Sequence, residues 1–364
     1  MKETIVSINR ATRQGSASSA DMGPKDGLGR PLHDLRISVM DRCNFRCPYC
    51  MPRDTFHDGY KFLKSTERLS FEEITRLARV FVRLGVKKLR ITGGEPLLRP
   101  NLTDLIGDLS TIAGLEDLAL TTNGVLLSKY ATELAAAGLQ RLTVSLDSLD
   151  PEIFARMSGG FGGVDEVLDG IDHAQRAGLA PIKINAVIQR GINDHTVLGL
   201  VERFRGTGVI VRFIEYMDVG NRNDWRRDLV VPSAELVSQI AARWPIEPRQ
   251  PNYRGEVAER YVFADGAGEV GFISSVSQPF CGDCSRARLS SDGGLFTCLF
   301  ASQGTSLREP LRSGATDDEL VEMVRAIWNK RVDRYSELRA AVRARAAAAQ
   351  DDADRKIEMF YIGG

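Results

Sequence analysis

Between residues 35 and about 216 the chain repeats one pattern, a short apolar run followed by a longer stretch with apolar residues at helical spacing. Strands are predicted at 35–39, 88–92, 117–121, 141–145, 183–187 and 209–216. The helices between them have legible starts and stops. In Ser70-Phe71-Glu72-Glu73 the Ser70 hydroxyl can cap a helix while Glu73 reaches back, and Ile74, Leu77, Phe81 and Leu84 then recur at helical spacing up to Gly85. Asp150 before Pro151 marks a second start. Val164, Val167, Leu168, Ile171 and Ala174 line a third helix that stops at Gly178.

Strand alternating with helix predicts an α/β fold around a parallel sheet. Six units are too few for a closed eight-unit barrel, so the expectation is a partial (β/α)6 TIM-like barrel. Four polar groups fall where strands end: Gly93-Gly94-Glu95, Thr121-Thr122-Asn123, Ser145 with Asp147, and Glu215 through Met217. Taken singly each is ordinary loop chemistry. Together they fall on the carboxyl edge of the sheet, where such folds bind ligands.

Past residue 230 the periodicity changes. Strands are predicted at 253–264 and 269–275, a hairpin turn at Ser291-Asp292-Gly293-Gly294, and a helix from Thr316 with Glu319 reaching back. An Arg- and Ala-rich helix near 335–349 reads as a solvated surface helix rather than a nucleic-acid arm. The expected organisation is a flexible tail at 1–30, a partial-barrel core at 31–230, and a β-containing region at 231–364 that closes the barrel.

Composition narrows the function. Lys plus Arg equals Asp plus Glu at 48 each, which argues against a general nucleic-acid or membrane-surface binder while permitting a local basic pocket. No run of about 18 apolar residues is present. The first thirty residues are rich in Gly and Ser and carry no apolar core of a signal peptide, so the expected location is the cytoplasm.

The six cysteines fall in two groups, Cys43, Cys47 and Cys50, and Cys281, Cys284 and Cys298. Clustering at ligand spacing in a large chain points to bound metal rather than disulfides. Three thiolates can hold a four-iron cluster with one iron left open. A zinc site is the alternative for each group. For the first, His57 is the nearest further ligand; for the second, no histidine lies nearby, since the only others are His33, His173 and His195. Arg286 and Arg288 follow Cys284 two residues apart, on one face of a strand, and two guanidiniums there could clamp a polyphosphate.

The loop Cys43-Asn44-Phe45-Arg46-Cys47-Pro48-Tyr49-Cys50, with Tyr49 before its last cysteine and Gly93-Gly94-Glu95-Pro96 after the second strand, resembles the radical S-adenosylmethionine (SAM) superfamily. The resemblance narrows to the GTP 3′,8-cyclase family, which acts first in molybdenum-cofactor biosynthesis, through Asp41-Arg42, Arg90-Ile91-Thr92, Thr121-Thr122-Asn123-Gly124, Val144-Ser145-Leu146-Asp147, Arg212-Phe213-Ile214-Glu215-Tyr216-Met217, Cys284-Ser285-Arg286-Ala287-Arg288 and the terminal Gly-Gly. The resemblance implies two 4Fe–4S clusters, the first on Cys43, Cys47 and Cys50 and an auxiliary one on Cys281, Cys284 and Cys298. It implies SAM contacts at Tyr49, Gly94, Ser145 and Met217. It implies GTP contacts at Arg36, Arg90, Thr121, Lys183, Arg286 and Arg288, with Arg286, Arg288, Gly363 and Gly364 as candidate catalytic residues. A 5′-deoxyadenosyl radical would take the ribose C3′ hydrogen, and the resulting carbon radical would attack guanine C8.

Two rivals stand beside this reading: a radical SAM maturase acting on a peptide or protein, and a redox carrier or zinc-stabilised scaffold without substrate. The first leaves the arginine pair and the diglycine end unused; the second leaves the Gly-Gly-Glu turn unused. An electron donor is implied but not identified, and the family's pathway implies cyclic pyranopterin monophosphate synthase downstream. The residues leave the assembly state open, a homodimer included, and suggest neither nucleic acid nor membrane as partner.

Overall fold

The computed structural model describes residues 23–349 and 356–364. Twelve strands form one sheet: β1 (Asp34–Ser38), β2 (Lys88–Thr92), β3 (Asp117–Thr122), β4 (Arg141–Ser145), β5 (Ile182–Ile188), β6 (Ile210–Glu215), β7 (Ile246–Arg249), β8 (Glu259–Phe263), β9 (Glu269–Ile273), β10 (Arg286–Leu289), β11 (Gly294–Phe296) and β12 (Thr305–Ser306). Strands β1 to β6 lie side by side and parallel in chain order, as the alternation predicts. Their outward residues are almost uniformly apolar because helices cover that face. The helix Phe71–Arg83 shows how: Ser70 and Glu73 cap it reciprocally, and Ile74, Leu77, Ala78, Val80 and Phe81 are buried on one side. Each such large apolar side chain contributes about 1.5–3 kcal/mol of transfer free energy.

The C-terminal region is not a separate body. Strand β10 pairs parallel with β1 on one side of the core, and β9 pairs parallel with β6 on the other, so the parallel portion gains a strand at each edge. The sheet still ends at β12 and β7 and remains open. The expected closure by the C-terminal region therefore goes no further than one added parallel strand at each edge of the core, with no completed ring of hydrogen bonds.

Three expectations are corrected. The tail of 1–30 is too long: residues 1–22 lie outside the described residues, but Asp26 and Arg30 are buried, and Arg30 Nε donates to Asp26 at 2.6 Å. The strand of 253–264 shrinks to β8, because Tyr253–Glu256 is a turn closed by Glu256 N donating to Tyr253 O, with Gly255 at φ +92°. The helix Tyr335–Ala349 is not simply solvated. Its Arg339 is buried and donates to Asp218 at 2.8 Å, where Tyr335 and Lys356 also converge. The helix Ser233–Arg243 and strand β7 had no predicted counterpart.

Candidate active site

The carboxyl ends of the parallel strands and the loops beyond them enclose a cavity of about 320 Å³. All six cysteines, all of them free, line it. So do Arg36, Tyr49, Arg90, Gly94, Thr121, Ser145, Lys183, Met217, Arg286, Arg288 and Gly364. Gly363 is held at the edge, its carbonyl accepting a hydrogen bond from Arg288. Among the described residues no three His, Cys, Asp or Glu side chains converge as a single-ion site. His57, the candidate further zinc ligand, sits on an exposed turn and accepts from Gly59 N at 3.1 Å, away from the cavity.

The first cysteine loop is held from three directions. Gly94 N donates to Met40 O at 2.7 Å and Glu95 N to Arg42 O at 2.8 Å, so the Gly-Gly turn lies against the loop backbone. A Cβ on Gly94 would overlap the Arg42 carbonyl, which explains why this position carries no side chain. Glu95, fully buried, accepts from Leu97 N at 2.9 Å and from Thr122 Oγ1 and Asn123 N at 2.8 Å each. Asn123 passes the constraint on, donating to Asn44 Oδ1 at 2.7 Å beside Cys43. From below, Arg46 donates to the carbonyls of Phe56 and Cys43 at 2.7 Å. Burial, reinforced by Glu95, pushes the Cys43 thiol up to about 12, and burial also raises Cys47 and Cys50. Loading metal here therefore displaces protons from buried thiols.

Tyr49 donates to Asp147 Oδ2 at 2.7 Å, and Asp147 Oδ1 accepts from Val187 N at 2.8 Å. That fixes the aromatic ring between the cysteine loop and the ends of β4 and β5. Burial pushes Asp147 up to about 6.

The second triad uses the predicted hairpin. Cys284 precedes β10, Cys298 follows β11, and the antiparallel pairing of these strands returns Cys298 to Cys284. Cys284 Sγ accepts from Arg286 Nη2 and Arg331 Nη2 at 3.1 Å each. Burial raises the Cys284 thiol, but the two guanidiniums outweigh it and bring it down to about 7. Cys298, lacking such donors, is pushed up to about 11 by burial and by Asp333.

Between the triads lies a ring of cations set by register. Arg288, Arg36 and Arg90 are neighbours across β10, β1 and β2, and Lys183 sits beside Thr143 on β5. Neighbouring strands are about 4.8 Å apart, so bare cations at that spacing repel by roughly 3 kcal/mol at an effective dielectric of about 20. Burial and then Arg288 and Arg90 hold Arg36 well below its usual range; burial and Arg212 bring Lys183 down to about 7; burial and Arg90 bring Lys88 to about 7. Only Asp34 and Glu256 offset them among the carboxylates lining this part of the cavity. The arrangement suits a bound polyanion.

Several residues at the site escaped prediction. Arg212, Lys88, Asn185 and Tyr253 all line the cavity. Arg212 Nε and Asn185 Oδ1 are buried without a hydrogen-bond partner, though the two residues are register neighbours on β6 and β5. The signal was available: Lys183, Asn185 and Val187 alternate with fully buried Ile182, Ile184, Ala186 and Ile188, so one face of β5 points inward. Conversely, Glu215 does not face the cavity. It accepts from Ser233 N at 2.9 Å and from Val276 N and Ser277 N at 2.8 Å, and so anchors loops.

Known proteins match the chain over most of its length. Residues 37–204 match the family model of the Radical SAM superfamily, and residues 209–337 match Molybdenum Cofactor Synthesis C. A protein of Xanthomonas campestris pv. campestris named GTP 3′,8-cyclase is 56% identical over 340 residues, 93% of this chain and 97% of its own length. One of that name from Acidothermus cellulolyticus is 52% identical over 93% of this chain and 99% of its own. Among solved structures, Streptococcus suis SuiB bound to S-adenosylmethionine superposes with a TM-score of 0.56 at 16% identity, covering 82% of this chain and 68% of SuiB. That likeness is one of fold.

Proposed function

The chain belongs to the GTP 3′,8-cyclase family of the radical SAM superfamily, and from this premise we propose how its own cavity converts GTP to 3′,8-cyclo-7,8-dihydro-GTP. The observation that carries the reading is the set of crowded cations that line one cavity together with two cysteine triads, Arg36 beside Arg90, Arg286 and Arg288, and Lys183 beside Arg212 and Lys88. A triphosphate relieves that repulsion, and few other small metabolites carry as much charge in so compact a group.

The donor sets fit the groups the family uses. Each triad offers three thiols, enough for a 4Fe–4S cluster with one iron free for an outside ligand. Cys43, Cys47 and Cys50 would hold the first cluster, and Cys281, Cys284 and Cys298 a second. With SAM and an external electron donor, the first cluster would supply a 5′-deoxyadenosyl radical to take the ribose C3′ hydrogen; C3′ would then bond guanine C8, and one further electron and a proton would complete the 7,8-dihydro product.

The protein's contribution is placement. Tyr49, pinned by Asp147, and the cavity-lining Gly94 form a wall for SAM, with Ser145 and Met217 on the strand ends beside them. Arg36, Arg90, Thr121 and Lys183 orient the triphosphate. Arg286 and Arg288 project from β10 toward the second triad, where the guanine end belongs. Gly364 lies in the cavity and Gly363 on Arg288, so the chain terminus helps exclude water from the reacting atoms.

The direct test is binding. Calorimetry on the reconstituted protein is expected to show GTP binding that weakens stepwise with GDP and GMP, and no binding of a mixed peptide library. Tighter binding of peptide than of GTP would reverse the assignment.

A further inference from the structure

Three buried side chains outside the cavity reach all three segments that bear the second cysteine triad. Asp26 Oδ2 accepts from Arg30 Nε at 2.6 Å and from Arg331 Nη1 at 3.0 Å. These side chains are 0% or 1% exposed. Arg30 Nη1 donates to Cys281 O at 2.6 Å. Arg331 donates to Cys284 O at 2.6 Å and to Cys284 Sγ at 3.1 Å, and its Nε donates to Thr297 O at 3.1 Å, next to Cys298. One carboxylate therefore fastens two guanidiniums that hold the backbone at Cys281, at Cys284 and beside Cys298.

The packing leaves these groups little freedom. Arg331 lies 4.6 Å over the Trp328 ring, and Trp328 Nε1 donates to Arg30 O at 3.1 Å. None of Asp26, Arg30 and Arg331 lines the cavity, so none touches the substrate or SAM from its place. Replacing Asp26 would leave two buried guanidiniums without their shared carboxylate, and replacing either arginine would strip Asp26 of one of its two buried donors. Such a cost is not needed to hold a hairpin that already has its strand pairing.

We propose that Asp26, Arg30 and Arg331 are positioning residues for the second cluster: they hold the three cysteines at cluster spacing, and the Arg331 donor to Cys284 sulfur raises the cluster's potential. The proposal rests on the two-cluster reading above. Its physical basis is that a hydrogen bond to a ligand sulfur favours the more negative, reduced state of a cluster, and that outer partners fix ligand geometry. It also gives the segment 23–31 a task, since this stretch reaches the triad from a sequence distance of 251 residues.

The test compares wild-type protein with Arg331→Met, Arg331→Lys and Asp26→Asn, each reconstituted anaerobically with iron and sulfide. Both clusters are followed by EPR during redox titration and by loss of iron to a chelator. In Arg331→Met the second cluster is expected to titrate at lower potential, with shifted g values, and to lose iron on the order of tenfold to a hundredfold faster. The first cluster should keep its potential and serves as the measure of folding. Arg331→Lys should recover part of the shift, and Asp26→Asn should move the same way by less. If Arg331→Met lacks even the first cluster, Asp26→Asn decides alone. An unchanged potential and iron-loss rate of the second cluster in the folded variants overturns the proposal. A wild-type protein that binds a single cluster overturns the two-cluster reading, and the proposal with it.

Discussion

The lysines of the cavity show how single residues report on function. Lys183 and Lys88 are each brought to about 7, against an ordinary 10.5, by burial first and neighbouring cations second. Their folded-state values lie below the unfolded ones. The destabilisation is thus fully present below about pH 7 and is relieved as pH rises toward the unfolded value. Without substrate, the cluster-loaded protein is therefore expected to gain thermal stability between about pH 6 and about pH 8.5, measured by scanning calorimetry. A flat or falling profile would contradict the cation ring. GTP reprotonates these lysines, so binding near neutral pH should take up protons, seen as a buffer-dependent heat. Lys183→Met removes one charge-assisted contact of about 1.5–3 kcal/mol. It should lower kcat/KM for GTP by about tenfold to a hundredfold while leaving SAM cleavage in place. Such residues are partly legible in sequence: Arg36, Arg90 and Lys183 are where the strand positions predict. Arg212 and Asn185 needed only a stricter reading of the alternation along β5 and β6. Asp26 and Arg30 did not announce themselves, because beyond each other their partners lie 251 to 305 residues away in the chain.

At the scale of elements, turns and loops do most of the positioning. Glu95 links the Gly-Gly turn to the end of β3 by accepting three hydrogen bonds. In Glu95→Gln an amide NH2 must face donors, leaving at least one buried group unpaired at about 1–3 kcal/mol. Chemical denaturation should show that loss, together with weaker loading of the first cluster; unchanged stability would mean Glu95 is not the latch. The C-terminal segment is docked by Phe360, whose ring centroid lies 5.0 Å from that of Phe56 in a small apolar cluster with Met51. Deleting Gly363 and Gly364 leaves that anchor intact. The expected result is loss of cyclised product with retained 5′-deoxyadenosine formation, and full turnover would show that the tail is a passive plug. Element boundaries were legible where a cap or stop coincides with a buried stripe, as at Ser70, Asp150 and Thr316. Expectations failed where tertiary contacts decide. The turn Tyr253–Glu256 reads as strand by composition, but Tyr253 stacks on His33 at 5.0 Å and so leaves the sheet. The basic helix Tyr335–Ala349 reads as solvated, yet Asp218 draws Arg339 inward.

At the scale of the molecule, one open sheet is shared by both halves of the chain. Strand β10 covers the edge of β1 and β9 covers that of β6. A fragment ending at residue 230 would expose two parallel edges and lose one cysteine triad. It is expected to aggregate rather than fold, and a soluble, cooperatively unfolding fragment would show the halves to be independent. The strand-helix alternation made the six-strand core legible, since each unit is local in sequence. The edge pairings were not: β10 reaches β1 from the far end of the chain, β9 returns to β6 past an intervening helix and hairpin, and no periodicity encodes a partner. The same architecture explains why two triads, from opposite ends of the chain, meet in one cavity.

The most direct measurement is product analysis. Protein reconstituted with iron and sulfide, reduced under anaerobic conditions and given SAM and GTP should yield 5′-deoxyadenosine together with 3′,8-cyclo-7,8-dihydro-GTP by mass spectrometry. Formation of 5′-deoxyadenosine with GTP left unchanged would contradict the assignment of the cation ring to this substrate.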